Sequence, residues 1–247
     1  MTVKGEQIVM RFFIALLLSL FSLSASSCDT RQSPSATMSK EGDVVRFAGE
    51  ISAESAASLV PLLDGARRLI IYSEGGDVDG GILIGNAVID NGITVEVETL
   101  CASSCAHYIF SVAPQRVVPS RAVVLFHTSP YTWVGLAQQG LIDDGAFLAE
   151  NAAKITRIES LFNRGGVSPG LLVCASNSIG VNFDTVRASP RGGFRVNTQF
   201  AGVYFSEETL MAFGITELDQ AHDLSDGARL SFEIEGTRFR VVRSGEC

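Results

Sequence analysis

Two serines and a histidine carry the reactive chemistry of this chain. Ser103 and Ser104 close the run Cys101-Ala102-Ser103-Ser104-Cys105 and lead into residues 105–113, apolar except for His107 and Ser111. A segment that short and that apolar reads as the start of a buried helix rather than a surface one. Two β-rich runs follow, 116–118 and 122–126, and the second closes on His127. A hydroxyl entering a helix and an imidazole ending a strand are the nucleophile and base that acyl transfer requires. A third feature is the pair Gly75-Gly76, which follows the β-branched run Arg68-Leu69-Ile70-Ile71-Tyr72. Glycines after a strand let backbone N–H groups approach a ligand with no side chain between them. The loop lacks the Gly-Lys-Ser/Thr of a nucleotide P-loop and the spacing of a dinucleotide site.

The elements that must position these residues alternate strand with helix. Residues 44–48 predict a strand, and Ser52 is placed to cap a helix of about twelve residues, which Pro61 interrupts and Asp64-Gly65 ends. Residues 68–72 predict a buried strand, 73–81 a glycine-rich loop, 82–91 a helix closed by Gly92, and 93–99 an alternating strand. That alternation implies an α/β architecture. Beyond His127, residues 128–140 read as a loop or flap holding the single Trp133, and 141–163 as a long helix. A short helix after Ser168-Pro169 carries Cys174, and 177–202 reads as irregular. Ser206 caps a helix that Gly214 ends, and 231–235 with 238–242 predict a hairpin.

Composition bounds the setting. Residues 12–23 form an apolar run behind Arg11, followed by Ser24-Ala25-Ser26-Ser27. A basic start, an apolar stretch and small residues at its end predict a signal peptide over 1–27. The run is shorter than the roughly 20 residues a membrane span needs. Cys28, directly after Ala25-Ser26-Ser27, is a candidate for lipidation and hence for a membrane tether, although the leucine usual three residues before such a cysteine is Ala25 here. Residues 28–43, rich in Ser and Thr, predict a flexible tether. About 205 residues remain, enough for one domain. A net charge of −8 with no basic run disfavours nucleic acid as a partner. In an exported chain Cys101, Cys105, Cys174 and Cys247 favour disulfides, with three pairings open. Cys101 with Cys105 is expected first, ahead of Cys174 with Cys247, because a four-residue offset on a turn entering a helix brings side chains together.

Taken in order, Glu74-Gly75-Gly76, then Ala102-Ser103-Ser104-Cys105-Ala106, then the run ending Val124-Leu125-Phe126-His127 resemble the motifs of the proteolytic subunit of Clp protease. Twenty-seven residues separate Gly76 from Ser104, and 22 separate Ser104 from His127. Val44-Val45-Arg46-Phe47-Ala48 resembles that family's first strand, and the segment Tyr204 to Ile215 its last helix. The resemblance implies a Clp/crotonase-like spiral of β-β-α units over 44–220, with residues 221–247 as a C-terminal extension holding the hairpin. It implies Ser104 as nucleophile, His127 as general base, and the N–H groups of Gly76 and Cys105 as an oxyanion hole. Ser103 is the weaker nucleophile because only Ser104 falls at the motif position.

The departures bear on activity. Glu74 stands where the family has proline, and Gly202 stands where it has the orienting aspartate. Asp184, Asn197 or Thr198 are the candidate substitutes, with a Ser–His dyad as the other solution. Losing the carboxylate of a triad costs on the order of 10⁴ in rate. His107 reads as structural. Cys101, Cys105 and His107 lack a fourth ligand for a metal site, and the cysteine spacing is not that of a redox pair. No cofactor or metal is expected. The leading expectation is an exported, periplasmic or lipid-anchored serine hydrolase acting on peptide or protein and assembling as a homo-oligomer. The alternatives are a non-catalytic scaffold with a degenerate site, favoured by Glu74 and Gly202, and a crotonase-type acyl-CoA site, which export disfavours.

Overall fold

The structure, a computed structural model, describes residues 36–190, 193–220, 231–234, 237–242 and 246–247. The expected signal peptide over 1–27 and Cys28 lie outside the described residues. The chain is a mixed α/β domain on a sheet that is mostly parallel. Its strands are β1 (Thr37–Glu41), β2 (Val44–Ala48), β3 (Arg68–Ser73), β4 (Thr94–Ala102), β5 (Gln115–Val118) and β6 (Val123–Leu125), with β10 (Leu218–Gln220) at the far edge. β2, β3, β4, β5 and β10 run parallel in that order, β6 pairs parallel with the end of β4, and β1 is antiparallel to β2. β1 falls where a flexible tether was expected. Pairing with β2 and packing of Met38 against the core order it instead.

Helices cover the sheet because each turns an apolar stripe to it. In α1 (Ala53–Leu63) the stripe is Ala56, Leu59 and Leu63, and Ser52 and Ser55 exchange hydrogen bonds in a capping box. Pro61 sits inside this helix rather than interrupting it, since it falls in the last turn, where little helix remains to be disrupted. α2 (Val78–Asp90) starts four residues earlier than expected, with Asp77 capping the Gly80 N–H at 2.7 Å. Gly80, Gly81 and Gly85 are therefore helical, and the reason is space. A Cβ on Gly85 would stand 2.0 Å from the Tyr108 carbonyl oxygen, and one on Gly81 3.2 Å from Ser104 Cβ. The glycines let the segment after Ser104 lie directly on α2.

That segment is a π-helix, Cys105–Phe110, wholly buried. Ser111 closes it, with both its N–H and its hydroxyl donating to the Ala106 carbonyl. The buried Arg116 guanidinium donates to the carbonyls of Phe110 and Ser111 at 2.8 and 2.6 Å. Burial lowers its pKa to about 10, against an opposing effect from Glu217. Cys101 and Cys105 are disulfide-bonded with Cα atoms 5.3 Å apart, tying the end of β4 to the helix start. Cys174 and Cys247 are bonded as well, with Cα atoms 5.4 Å apart.

Residues 128–140, expected as a flap, hold a helix, α3 (Pro130–Gln138). Pro130 occupies the first helical position, where its missing N–H costs nothing, and the Ser129 N–H donates to Thr132 Oγ1 at 3.0 Å. α4 (Gly145–Gly165) and α5 (Gly170–Ser178) follow. The stretch read as irregular contains β7 (Val181–Ala188) and β8 (Phe194–Thr198), an antiparallel ribbon. Its exposed side chains show too little burial to have left a periodic signal. β9 (Gly202–Phe205), α6 (Glu207–Ala212), β11 (Ser231–Ile234) and β12 (Thr237–Val242) complete the chain. β11 and β12 form the expected hairpin, and β12 pairs in parallel with β9. Among the described residues no helix is long and apolar enough to cross a membrane.

Candidate active site

Register brings the reactive residues together. Ser73 pairs with Cys101 across β3 and β4, and Ala102 pairs with Leu125 across β4 and β6. Two residues past that second pair, Ser104 and His127 leave adjacent parallel strands in the same direction. The Gly75-Gly76 turn leaves β3 at the same end. The carboxyl ends of parallel strands are where ligands bind in open α/β sheets.

The backbone at this end is held closely. The Ser103 N–H donates to the Leu125 carbonyl at 3.0 Å, and the Ser103 carbonyl accepts from the His107 N–H at 2.8 Å. Ser103 has φ +56°, the single non-glycine residue with positive φ among those described. Such a conformation at a residue with a Cβ costs free energy and persists where the surroundings impose it. Here those two backbone bonds hold it, and Gly75 packs so closely that a Cβ there would lie 2.4 Å from that of Ser103. Gly76, at φ +137°, bridges Ile51 through its neighbours, with the Ile51 N–H on the Gly75 carbonyl and the Asp77 N–H on the Ile51 carbonyl. That leaves Gly76's own N–H and carbonyl outside the ladder.

Ser104 and His127 line one cavity of about 250 Å³, together with Gly76, His107, Tyr108 and Thr128 on its inner wall. Trp133, Phe147, Asn151 and Lys154 from α3 and α4 line it as well, and the Trp133 and Phe147 rings meet edge to face. The Ser104 hydroxyl, buried, donates to the Gly76 carbonyl at 2.7 Å. In this arrangement the serine is parked on Gly76 rather than bonded to His127. Cys105 follows Ser104 at the helix start, where N–H groups have no acceptor within the helix.

His127 is half-buried, and its Nδ1 lies 3.0 Å from Thr128 Oγ1. Burial lowers its pKa, partly countered by a hydrogen bond to the Thr128 backbone. Its N–H donates to His107 Nε2 at 3.2 Å. An N–H can only donate, so Nε2 of His107 is unprotonated in this structure. Burial foremost, and then the neighbouring His127, holds the His107 pKa well below the usual imidazole range. Burial thus favours the neutral form of both rings, the state a general base needs.

The other candidates fall elsewhere. Asp184, Asn197 and Thr198 lie on the β7–β8 ribbon and line a separate hollow with Phe183 and Gln199. Asp184 is exposed there and is not among the residues that line the serine's cavity. Gly202 stands beside His127, since Phe126 and Val203 exchange both backbone hydrogen bonds. A Cβ at 202 would meet the Phe126 carbonyl oxygen at 2.8 Å, so no carboxylate fits at that position. Glu74 is exposed. Among the described residues no cluster of three or more His, Cys, Asp or Glu is placed to hold a metal. Sequence reasoning missed Tyr108 and Thr128. Tyr108 hid in an apolar run, and a threonine after a histidine gives no signal of its own.

No family model and no curated protein matches the chain. Among solved structures it is similar to a point mutant of ClpP1 from Listeria monocytogenes, with 16% identity and a TM-score of 0.34 over 50% of this chain and 70% of that one. It is also similar to DspI of Pseudomonas aeruginosa, at 13% identity and a TM-score of 0.29, covering 41% and 55%. A third is an enoyl-CoA hydratase from Mycobacterium avium subsp. paratuberculosis K-10, at 7% identity and a TM-score of 0.31, covering 40% and 49%. The chain spans about half the length of these last two.

Proposed function

We propose that the chain is an exported serine hydrolase, a peptidase in preference, working through an acyl-enzyme on Ser104. The observation that carries this reading is that Ser104 and His127 end neighbouring parallel strands and line one cavity. In the reaction the Ser104 hydroxyl swings from the Gly76 carbonyl to Nε2 of His127 and gives up its proton as Oγ bonds the substrate carbonyl carbon. The carbonyl oxygen takes the negative charge, and the N–H groups of Cys105 and Gly76 stabilise it. Collapse breaks the bond to the leaving amine, which takes the proton from His127. Water, deprotonated by the same ring, then releases the acid and restores Ser104. The six-residue π-helix is too short to supply much dipole, so the N–H groups themselves carry the stabilisation.

Export rests on the apolar run 12–23 behind Arg11, and anchoring in the envelope on Cys28. Peptide or unfolded protein is the substrate class, and a homo-oligomer the form, that the Clp-like motifs imply. A second reading, a non-catalytic scaffold, is favoured by the Ser104 hydroxyl's bond to the Gly76 carbonyl and by Gly202. Hydrolysis of unstructured peptides by purified protein separates the two. Turnover that is lost in Ser104→Ala and in His127→Ala and kept in Ser103→Ala supports the hydrolase. Equal background rates in all four proteins support the scaffold.

A further inference from the structure

The His127 ring lacks the carboxylate that usually orients a catalytic imidazole. Among the described residues, the wall of the cavity contains no Asp or Glu, and position 202 has no room for one. What the ring does have is Thr128. Its Oγ1 lies 3.0 Å from Nδ1, within hydrogen-bond reach. A threonine hydroxyl can donate or accept, and a ring protonated on Nδ1 would donate to it and keep Nε2 as the free acceptor. From behind, the His127 N–H is fixed on His107 Nε2, while the His107 ring stacks on Phe126. The base is thus held by one hydroxyl on its side chain and one imidazole on its backbone.

Resting on the hydrolase reading, we propose that Thr128 is the positioning residue of this site, its hydroxyl accepting the Nδ1 proton of His127 and leaving Nε2 bare toward Ser104. A neutral oxygen can fix tautomer and orientation, two of the tasks a carboxylate performs, without the charge that stabilises an imidazolium. The site then turns over more slowly than a full triad with its geometry intact. Thr128 touches no reacting atom and acts through the ring alone.

The ring nitrogens report this directly. Two-dimensional ¹H–¹⁵N NMR on protein carrying ¹⁵N-histidine, at neutral pH and without substrate, distinguishes the two neutral tautomers, and a His127→Gln variant assigns the signal. The expected result is a neutral His127 protonated on Nδ1. Thr128→Val should lower the ratio of that tautomer to the other at least twofold, and Thr128→Ser should restore it. A wild-type ring protonated on Nε2, or on both nitrogens, overturns the proposal, as does a ratio unchanged in Thr128→Val. Where the valine variant does not fold, the wild-type and serine spectra decide by the same signals. The spectrum needs no turnover, so an inert Ser104 would sink the hydrolase reading, whereas failure of the Thr128 assignment shows in the ring nitrogens.

Discussion

Tyr108 is the residue whose chemistry the fold leaves open. It is buried on the cavity wall, and its hydroxyl has no hydrogen-bond partner among the described residues. Burial, then Tyr131 and Asp79, raise its pKa far above the ordinary phenol value, so it stays protonated. An unpaired buried hydroxyl costs about 1–3 kcal/mol. Tyr108→Phe is therefore expected to leave stability unchanged or to raise it by up to about 1 kcal/mol, read as the denaturation midpoint, and a loss above that amount would reveal a partner. His127 makes a second prediction at this scale. Its lowered pKa keeps the base neutral in more acidic solution than an ordinary imidazole near 6.5 permits. The acid limb of the kcat/KM profile should accordingly fall below pH 6.5, and a limb above that value would exclude His127 as the base. Residue type drew attention to Ser103, Ser104 and His127, the Clp-like motif singled out Ser104 from Ser103, and the structure places Ser104 and His127 on one cavity. Thr128 was not legible, because a hydroxyl that orients a ring looks in sequence like any other threonine.

Elements hold these residues through contacts that leave no room for adjustment. Strands β2 to β6, α1 and α6 could be read from their periodicity and caps, whereas β9 and β10 could not. The start of α2 could not, because Gly80 and Gly81 read as loop when their task is to admit the π-helix. Helix propensity assigns them a penalty that close packing against Ser104 and Tyr108 offsets. Gly85→Ala tests this. A Cβ 2.0 Å from the Tyr108 carbonyl forces the two helices apart, and the expected cost is about 3 kcal/mol, at the upper end for overpacking. An exposed helical glycine would instead gain stability on becoming alanine, so the sign of the urea-midpoint shift decides. Arg116 is the second such contact, its guanidinium closing the π-helix by donating to the carbonyls of Phe110 and Ser111.

The whole molecule adds a long-range tie and a pH dependence. The bond between Cys174 and Cys247 closes a sequence separation of 73 residues. On chain entropy such a link contributes about 4 kcal/mol, so Cys174→Ser with Cys247→Ser should lower the denaturation midpoint at least as far as Gly85→Ala. The sequence left three pairings open, with Cys101–Cys105 favoured, and the structure holds Cys101–Cys105 and Cys174–Cys247. Both His107 and His127 have folded pKa values below the unfolded value of 6.5. Between those values the unfolded chain binds more protons, so stability is full above pH 6.5 and is lost as the pH falls toward the folded values. His107→Gln should flatten that loss in urea titrations, and an undiminished slope would show that other groups cause it. The central claim is that Ser104 is a nucleophile activated by His127. A fluorophosphonate probe with peptide mass mapping tests it most directly, because phosphonylation requires an activated hydroxyl and reports its position. A single adduct on Ser104, present in Ser103→Ala and absent from His127→Ala, is the predicted result. An unlabelled protein, or an adduct on Ser103 or elsewhere, would contradict it.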